Sequence, residues 1–396
     1  MIKTLFKVVS SNFIYFGAMW FLLAFVSRFY GLAEMGILSL SIAISTPIIL
    51  LFGMSPRQTI VTGVVNEYHK YKNNRNITLL FALLLLIMGS YITIENEMYC
   101  SIFILFSIFK FIESYYETTY AIKTKNKDFN YISALQLIRS GQVLVFIIVS
   151  YISDSLVSSI ISLILYNLSL ILFIKESHLI DKSLEIGDVI STLKKTIPIS
   201  LAGFLTLLFL NTPRYFIANI SITDVALYSG LVNIVAIIRM AIQSYLNTIL
   251  PYLTDAIKQG NRTLYFKMLI KGMLSIFIIS IFTFIIYTIV GNELFQYIYG
   301  SEFKVNSLTV YLCILYGSLL CMAMVMNNAL TSLKKFRAQL NNSFLLNIMS
   351  FTLSLIIIPS KHIDGAFVVL IFVCISQIAL CAIELLKMRF NINVSK

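Results

Sequence analysis

Lys110, Glu113 and Glu117 follow one another at i, i+3 and i+7 within FKFIESYYETTY, Phe109 to Tyr120, in a segment otherwise apolar enough to cross a lipid bilayer. That spacing places all three on one helix face. Each ionisable group costs about 3 kcal/mol or more at a bilayer centre, so the face must turn toward protein or water. Glu113 lies ten residues before Lys123, and Arg139 eleven after Asp128. At a rise of about 1.5 Å per residue both reach roughly 15 Å deep, on helices joined by a tight loop, and they can meet. Two chemistries fit the set. It is either a neutralised ion-pair cluster that fixes one helix against the next, or a coupling or gating site in which Glu113 or Glu117 takes up a proton or cation while Lys110 and Arg139 face an anion.

Arg239 poses a sharper question, because it sits mid-segment in VNIVAIIRMAIQSY and no acidic residue of the second half is predicted within the hydrocarbon. An unmatched arginine at that depth either faces a watery cavity or an anion, or snorkels and bonds to backbone carbonyls. Arg28 and Arg214 fall near the outer ends of their segments and Arg57 at an inner end. Each alone reads as an interfacial anchor. Taken with Arg239 they would offer an anionic ligand stations along a vertical route. Arginine suits phosphate because its fork binds two oxygens at once and stays charged. Scattered amides such as Asn211, Asn233, Gln243 and Asn347 fit interhelical hydrogen bonds.

The elements that position these groups are set by composition. Of 396 residues 58% are hydrophobic and 12% charged, and the mean hydropathy is +0.87. Such a chain is an all-α polytopic membrane protein. Twelve spans are expected, at 8–28, 35–54, 77–94, 99–121, 130–151, 155–174, 197–219, 225–250, 268–290, 307–330, 340–358 and 365–386. Most lysines and arginines, including Arg57, Arg75 and the run Lys123 to Lys127, then share one side with both termini, which the positive-inside rule makes cytoplasmic. The net charge of +12 is therefore mostly topology, with no call for a nucleic-acid partner. The charged stretch Lys175 to Lys195 divides the chain into an N-terminal six-helix lobe, 1–182, and a C-terminal one, 183–396. FVSRFYGLAEMGILSLSIAI faintly echoes TPRYFIANISITDVALYSGLVNIV, and with an even number of spans per half this implies a parallel, pseudo-symmetric repeat around a central cavity.

Several classes are disfavoured. The five cysteines form no C-x-x-C pair, and the three histidines lie in separate loops, so no metal site or cofactor is expected. External loops are short and no D-x-D, H-E-x-x-H, Walker or G-x-S-x-G motif occurs, so the chain is not expected to be an enzyme. Transport is favoured by elimination.

Twelve spans in two halves, with YGLAEMGILSLSIAI leading to GMSPRQ, DVALYSGLV and LPYLTDA, resemble the polysaccharide-export branch of the multidrug/oligosaccharidyl-lipid/polysaccharide (MOP) superfamily. The nearest likeness is to Wzx-type O-antigen flippases. The resemblance implies two MATE-like lobes and alternating access. It also implies a location in the bacterial cytoplasmic (inner) membrane and export of undecaprenyl-pyrophosphate-linked oligosaccharide units. Polysaccharide polymerase and chain-length machinery would be partners, beside membrane lipids, and a coupling H+ or Na+ is compatible. By that analogy Arg57 matches the arginine ending span two and Arg214 the basic position late in span seven. Family members often carry an acidic residue before that basic position; here it is Pro213. The expected pyrophosphate and cavity residues are Arg239, Arg28, Arg57 and Arg214. Lys110, Glu113, Glu117 and Arg139 are the coupling or gating set. The alternatives are a cation-coupled multidrug or metabolite antiporter, which needs an acidic cavity, and a non-transporting scaffold or membrane enzyme.

Overall fold

The computed structural model describes residues 2–391 except 62–64, 66–67, 127, 174–185, 291–292 and 334. Among the described residues the chain is all-α. Its helices are α1 (Ile2–Phe29), α2 (Leu32–Phe52), α3 (Pro56–Val61), α4 (Tyr68–Thr93), α5 (Glu97–Lys125), α6 (Phe129–Ser140), α7 (Gln142–Ser153), α8 (Leu156–Phe173), α9 (Ile186–Ala218), α10 (Ile222–Lys258), α11 (Arg262–Val290), α12 (Glu293–Tyr299), α13 (Ser307–Ser332) and α14 (Phe336–Asn391).

Nine helical stretches among the described residues are long and apolar enough to cross a membrane, and α8 is a shorter apolar helix. The protein is a multi-pass membrane protein. α14 is two spans. Its backbone breaks at His362, where φ is 48° and ψ −126°. Lys335 Nζ, just before α14, lies 3.1 Å from Glu384 Oε2 near its end. A straight helix would hold those residues roughly 73 Å apart, so the two arms fold back on each other. With these arms, α8 and the long α10, each of the twelve expected spans has a helix. Helix starts follow local chemistry: the side chains of Asn96, Asp128 and Asn306 accept the N–H of Tyr99, Tyr131 and Leu308 respectively. Each cap satisfies a donor that the first helical turn leaves free.

The chain forms two compact units, Met1–Leu207 and Leu208–Lys396, which divide inside α9. The boundary expected at 182/183 lies outside the described residues. In the first unit α5 is the hub, packing on α2, α3, α4, α6 and α8. In the second unit α13 takes that place, against α10, α11 and α14. Both hubs are the fourth span of their half, as a parallel repeat requires. Small polar residues permit close helix contact. Ser41 and Ser45 of α2, for instance, are buried and return their hydroxyls to carbonyls four residues earlier.

Two departures from the expected spans shape the site. Span five is broken into α6 and α7 at Gly141, whose N–H reaches Ile138 O, three residues back, at 3.0 Å. And α4 begins at Tyr68, earlier than expected, so Arg75 is in a helix and not in a cytoplasmic connection.

Candidate functional site

In the first unit the counted depths of Glu113 and Arg139 bring them together. Arg139 Nη2 lies 2.8 Å from Glu113 Oε1, and Lys110 Nζ lies 2.6 Å from Glu113 Oε2, so one carboxylate serves two cations. Tyr15 of α1 donates its hydroxyl to the same Oε1 and accepts from Arg139 Nη2 at 2.8 Å. Arg139 Nη1 donates to Tyr120 Oη at 3.1 Å. The guanidinium carbon also sits 4.1 Å from the centre of the Tyr116 ring and 4.6 Å from that of Tyr15. Arg139 is thus caged by aromatic faces and one carboxylate, with a side chain only 2% exposed. Cation–π contact of this kind gains strength when desolvated. Gln136, one turn earlier on α6, accepts from Ser11 and donates to Asn12, which ties α6 further to α1.

Glu117 does not join this group, although it shares the helix face. It pairs instead with Arg57 of α3, Nε to Oε2 at 3.5 Å, with both side chains close to half exposed. Arg57 also lies 5.6 Å from the centre of the Tyr120 ring. The reason is the turn between α2 and α3. Met54 and Ser55 adopt left-handed conformations, with φ of 56° and 44°, and the chain turns sharply there before Pro56 starts α3. Such residues persist only where surrounding contacts over-determine them. Here Tyr71 Oη donates to Met54 O at 3.0 Å, and Arg75 donates to Gly53 O at 2.8 Å and to Ser114 O at 2.7 Å. Arg75, read from the sequence as a topological charge, is therefore a buried clasp that carries α3, and with it Arg57, against α5.

In the second unit Arg214 of α9 is buried. It donates to Asn211 Oδ1 at 3.3 Å and lies 5.6 Å from the centre of the Tyr228 ring. Arg28, its counterpart in the repeat, is exposed in the last turn of α1. Arg239 is half-buried in the middle of α10 and has no hydrogen bond or ion pair among the described residues. Its charge acts on Arg214 repulsively, and it lies within electrostatic range of Tyr316 and Cys321. The acidic residues of this unit are occupied or distant. Asp224 pairs with His362 at 3.7 Å, Glu384 holds Lys335 and Lys387, and Asp364 accepts from Thr309. Asp224 and Asp255, on the same helix as Arg239, are roughly 22 Å and roughly 24 Å away along its axis. Glu293 and Glu302 are exposed.

No protein-family model and no curated protein matches the sequence. Solved structures match nearly its whole length. The lipid II flippase MurJ, in an inward closed conformation, gives a TM-score of 0.70 at 11% identity, over 97% of this chain and 87% of that one. An outward-facing MATE multidrug resistance transporter of the MOP superfamily gives 0.64 at 12%, over 99% and 96%. A MOP transporter from Pyrococcus furiosus, described as having a binding pocket of reverse polarity, gives 0.63 at 13%, over 99% and 96%. This is the fold of the MOP-superfamily transporters. At these identities the likeness is one of fold, and no residue role passes from them to this chain.

Within that fold the sequence reading missed two groups. Tyr116 and Tyr120 lie at i+3 and i+7 from Glu113, a spacing that could have placed them on the charged face. Tyr15 and Arg75 carried no such signal, because their partners are 98 and 39 residues away.

Proposed function

We propose that this protein moves an anionic lipid-linked oligosaccharide across the bacterial cytoplasmic membrane by alternating access, the cargo being an undecaprenyl-pyrophosphate-linked repeat unit of O-antigen or a related surface polysaccharide. The observation that carries the reading is Arg239, a cation in the middle of α10, the helix that occupies the eighth expected span, with no carboxylate to meet it among the described residues. A diphosphate headgroup cannot enter hydrocarbon unaided, and a fixed guanidinium supplies charge and paired donors where water is scarce. Arg57, Arg28 and Arg214 are assigned to contact the headgroup at different stages of its passage. Arg57 suits this because its exposed pair with Glu117 is weak and exchangeable.

The same reading gives Lys110, Glu113, Glu117 and Arg139 the coupling or gating role. A coupling H+ or Na+ would have to displace a cation already held on Glu113. Two MOP-fold structures lend support by analogy, one named as a lipid flippase and one described by a pocket of reversed polarity. A cation-exporting drug antiporter, the alternative suggested by the MATE structures, fits poorly with a second unit whose unmatched mid-membrane charge is positive.

The test is surface glycan in cells that carry the protein as their sole exporter. Arg239→Ala is expected to abolish surface glycan at an unchanged membrane level of protein, and Arg239→Lys to retain part of it. Undiminished glycan in the alanine variant removes Arg239 from the mechanism. Efflux of organic cations by the wild type, without glycan export, would favour the antiporter.

A further inference from the structure

The second unit contains a cavity of about 140 Å³ between α10, α11, α12 and α13, and we propose that it holds the head-proximal isoprene of a polyprenyl phosphate whose phosphate lies at Arg239. The inference rests on the carrier reading above and adds a subsite to it. Leu231 and Val235 of α10 line the cavity, and Arg239 continues the same i, i+4, i+8 row. The guanidinium-bearing residue is thus one turn, roughly 6 Å, beyond the cavity wall. Cys321, at the α13 end of the lining, lies within range of the Arg239 charge. A cation at one end of an apolar hollow matches a ligand with an anionic head and a hydrocarbon tail.

The lining of the hollow offers water almost no polar partner. Its three aliphatic hydroxyls all turn back to their own helices: Ser280 to Ile276 O, Thr283 to Ile279 O and Ser318 to Ile314 O, at 2.8, 2.9 and 2.8 Å. What they present to the cavity is carbon and hydrogen. A buried water needs two to four polar partners, whereas an apolar cavity of about 150 Å³ stays empty of water and accepts a molecule the size of benzene. One isoprene unit, with five carbons, is of that size. Depth selects the polyprenyl carrier over a bilayer phospholipid. Arg239 is seventeen residues from one end of α10 and nineteen from the other. A resident phospholipid keeps its head at the interface, so only a lipid whose head is drawn into the membrane places its first carbons beside a mid-helix arginine.

The probe is a short polyprenyl monophosphate with a diazirine on its first isoprene unit, photolysed with the purified full-length protein in liposomes. Adducts are expected on the cavity faces of α11 and α13, at residues such as Thr283 and Cys313. Excess unlabelled polyprenyl phosphate should suppress them and phosphatidylglycerol should not. Ser280→Phe, which fills the hollow, is expected to weaken saturable labelling at least tenfold, since each buried methylene is worth a factor of about four. Ser280→Ala, which leaves the hollow open, should label as the wild type does. Adducts competed equally by phosphatidylglycerol, or undiminished labelling of the Ser280→Phe protein, overturn the assignment. If labelling depends on Arg239 yet falls outside the cavity, the subsite fails and the carrier reading stands. If polyprenyl phosphate competes nowhere, both fail.

Discussion

Glu113 and Glu117 stand four residues apart on α5 and do different work. Glu113 is sealed between Lys110 and Arg139, while Glu117 meets Arg57 in a pair that is nearly half exposed. Removing one member of a buried pair strands the other charge, so Glu113→Gln is expected to lower stability by about 3 kcal/mol or more. Glu117→Gln, in an exposed pair, should cost less than about 1 kcal/mol. Thermal melting of the two variants in detergent, side by side, checks the ranking. A smaller loss for Glu113→Gln would deny the cluster its structural weight. The Glu113–Arg139 contact was legible in the sequence because both residues can be counted inward from one tight loop. The Arg57–Glu117 contact was not, because it depends on two left-handed residues, Met54 and Ser55, that no hydrophobic period announces. Arg75 looked like a loop charge because the run YHKYKNNR is polar, yet it is helical and its arginine points inward.

At the scale of elements, span five passes from α6 to α7 at Gly141, two residues beyond Arg139, and α6 packs on α1 and α5. Packing favours glycine at 141: a Cβ would come within 2.8 Å of Tyr166 Oη and 3.1 Å of Ile138 O. Tyr166 donates to that same Ile138 carbonyl at 2.7 Å. Gly141→Ala is therefore expected to destabilise by about 1 to 3 kcal/mol, and Tyr166→Phe in the same chain to restore part of the loss. Additive losses in the double variant, measured by melting, would place the strain elsewhere. Spans of this kind are read from apolar length, which does not see a one-residue break such as Gly141, although it does separate spans 340–358 and 365–386 on either side of the turn at His362. The twelve lengths were nevertheless legible, since a bilayer imposes about 20 apolar residues on each crossing helix.

Across the whole molecule, charge carries the expected topology and the proposed cargo. Twelve spans would put both termini on one side together with most basic residues, and the positive-inside rule predicts that this side is cytoplasmic. Lys3→Cys and Lys387→Cys should react with an impermeant maleimide only from the cytoplasmic side, and Lys361→Cys only from the opposite side. Reaction of the first two from opposite sides would break the count of twelve. The pairing of halves was visible as a faint echo in sequence, and α5 and α13 take corresponding places in their units. The repeat is not exact in its charges: Arg28 is exposed and Arg214 buried. Likeness of fold reaches transporters of several cargoes, so the choice among them rests on the side chains of this chain, chiefly Arg239. The most direct measurement is leaflet exchange of a fluorescent polyprenyl-diphosphate oligosaccharide in liposomes containing the purified protein. The wild type should move it, Arg239→Lys should move it slowly, and Arg239→Ala should leave it in its original leaflet. Equal exchange by the wild type and Arg239→Ala would contradict a passage built on that arginine.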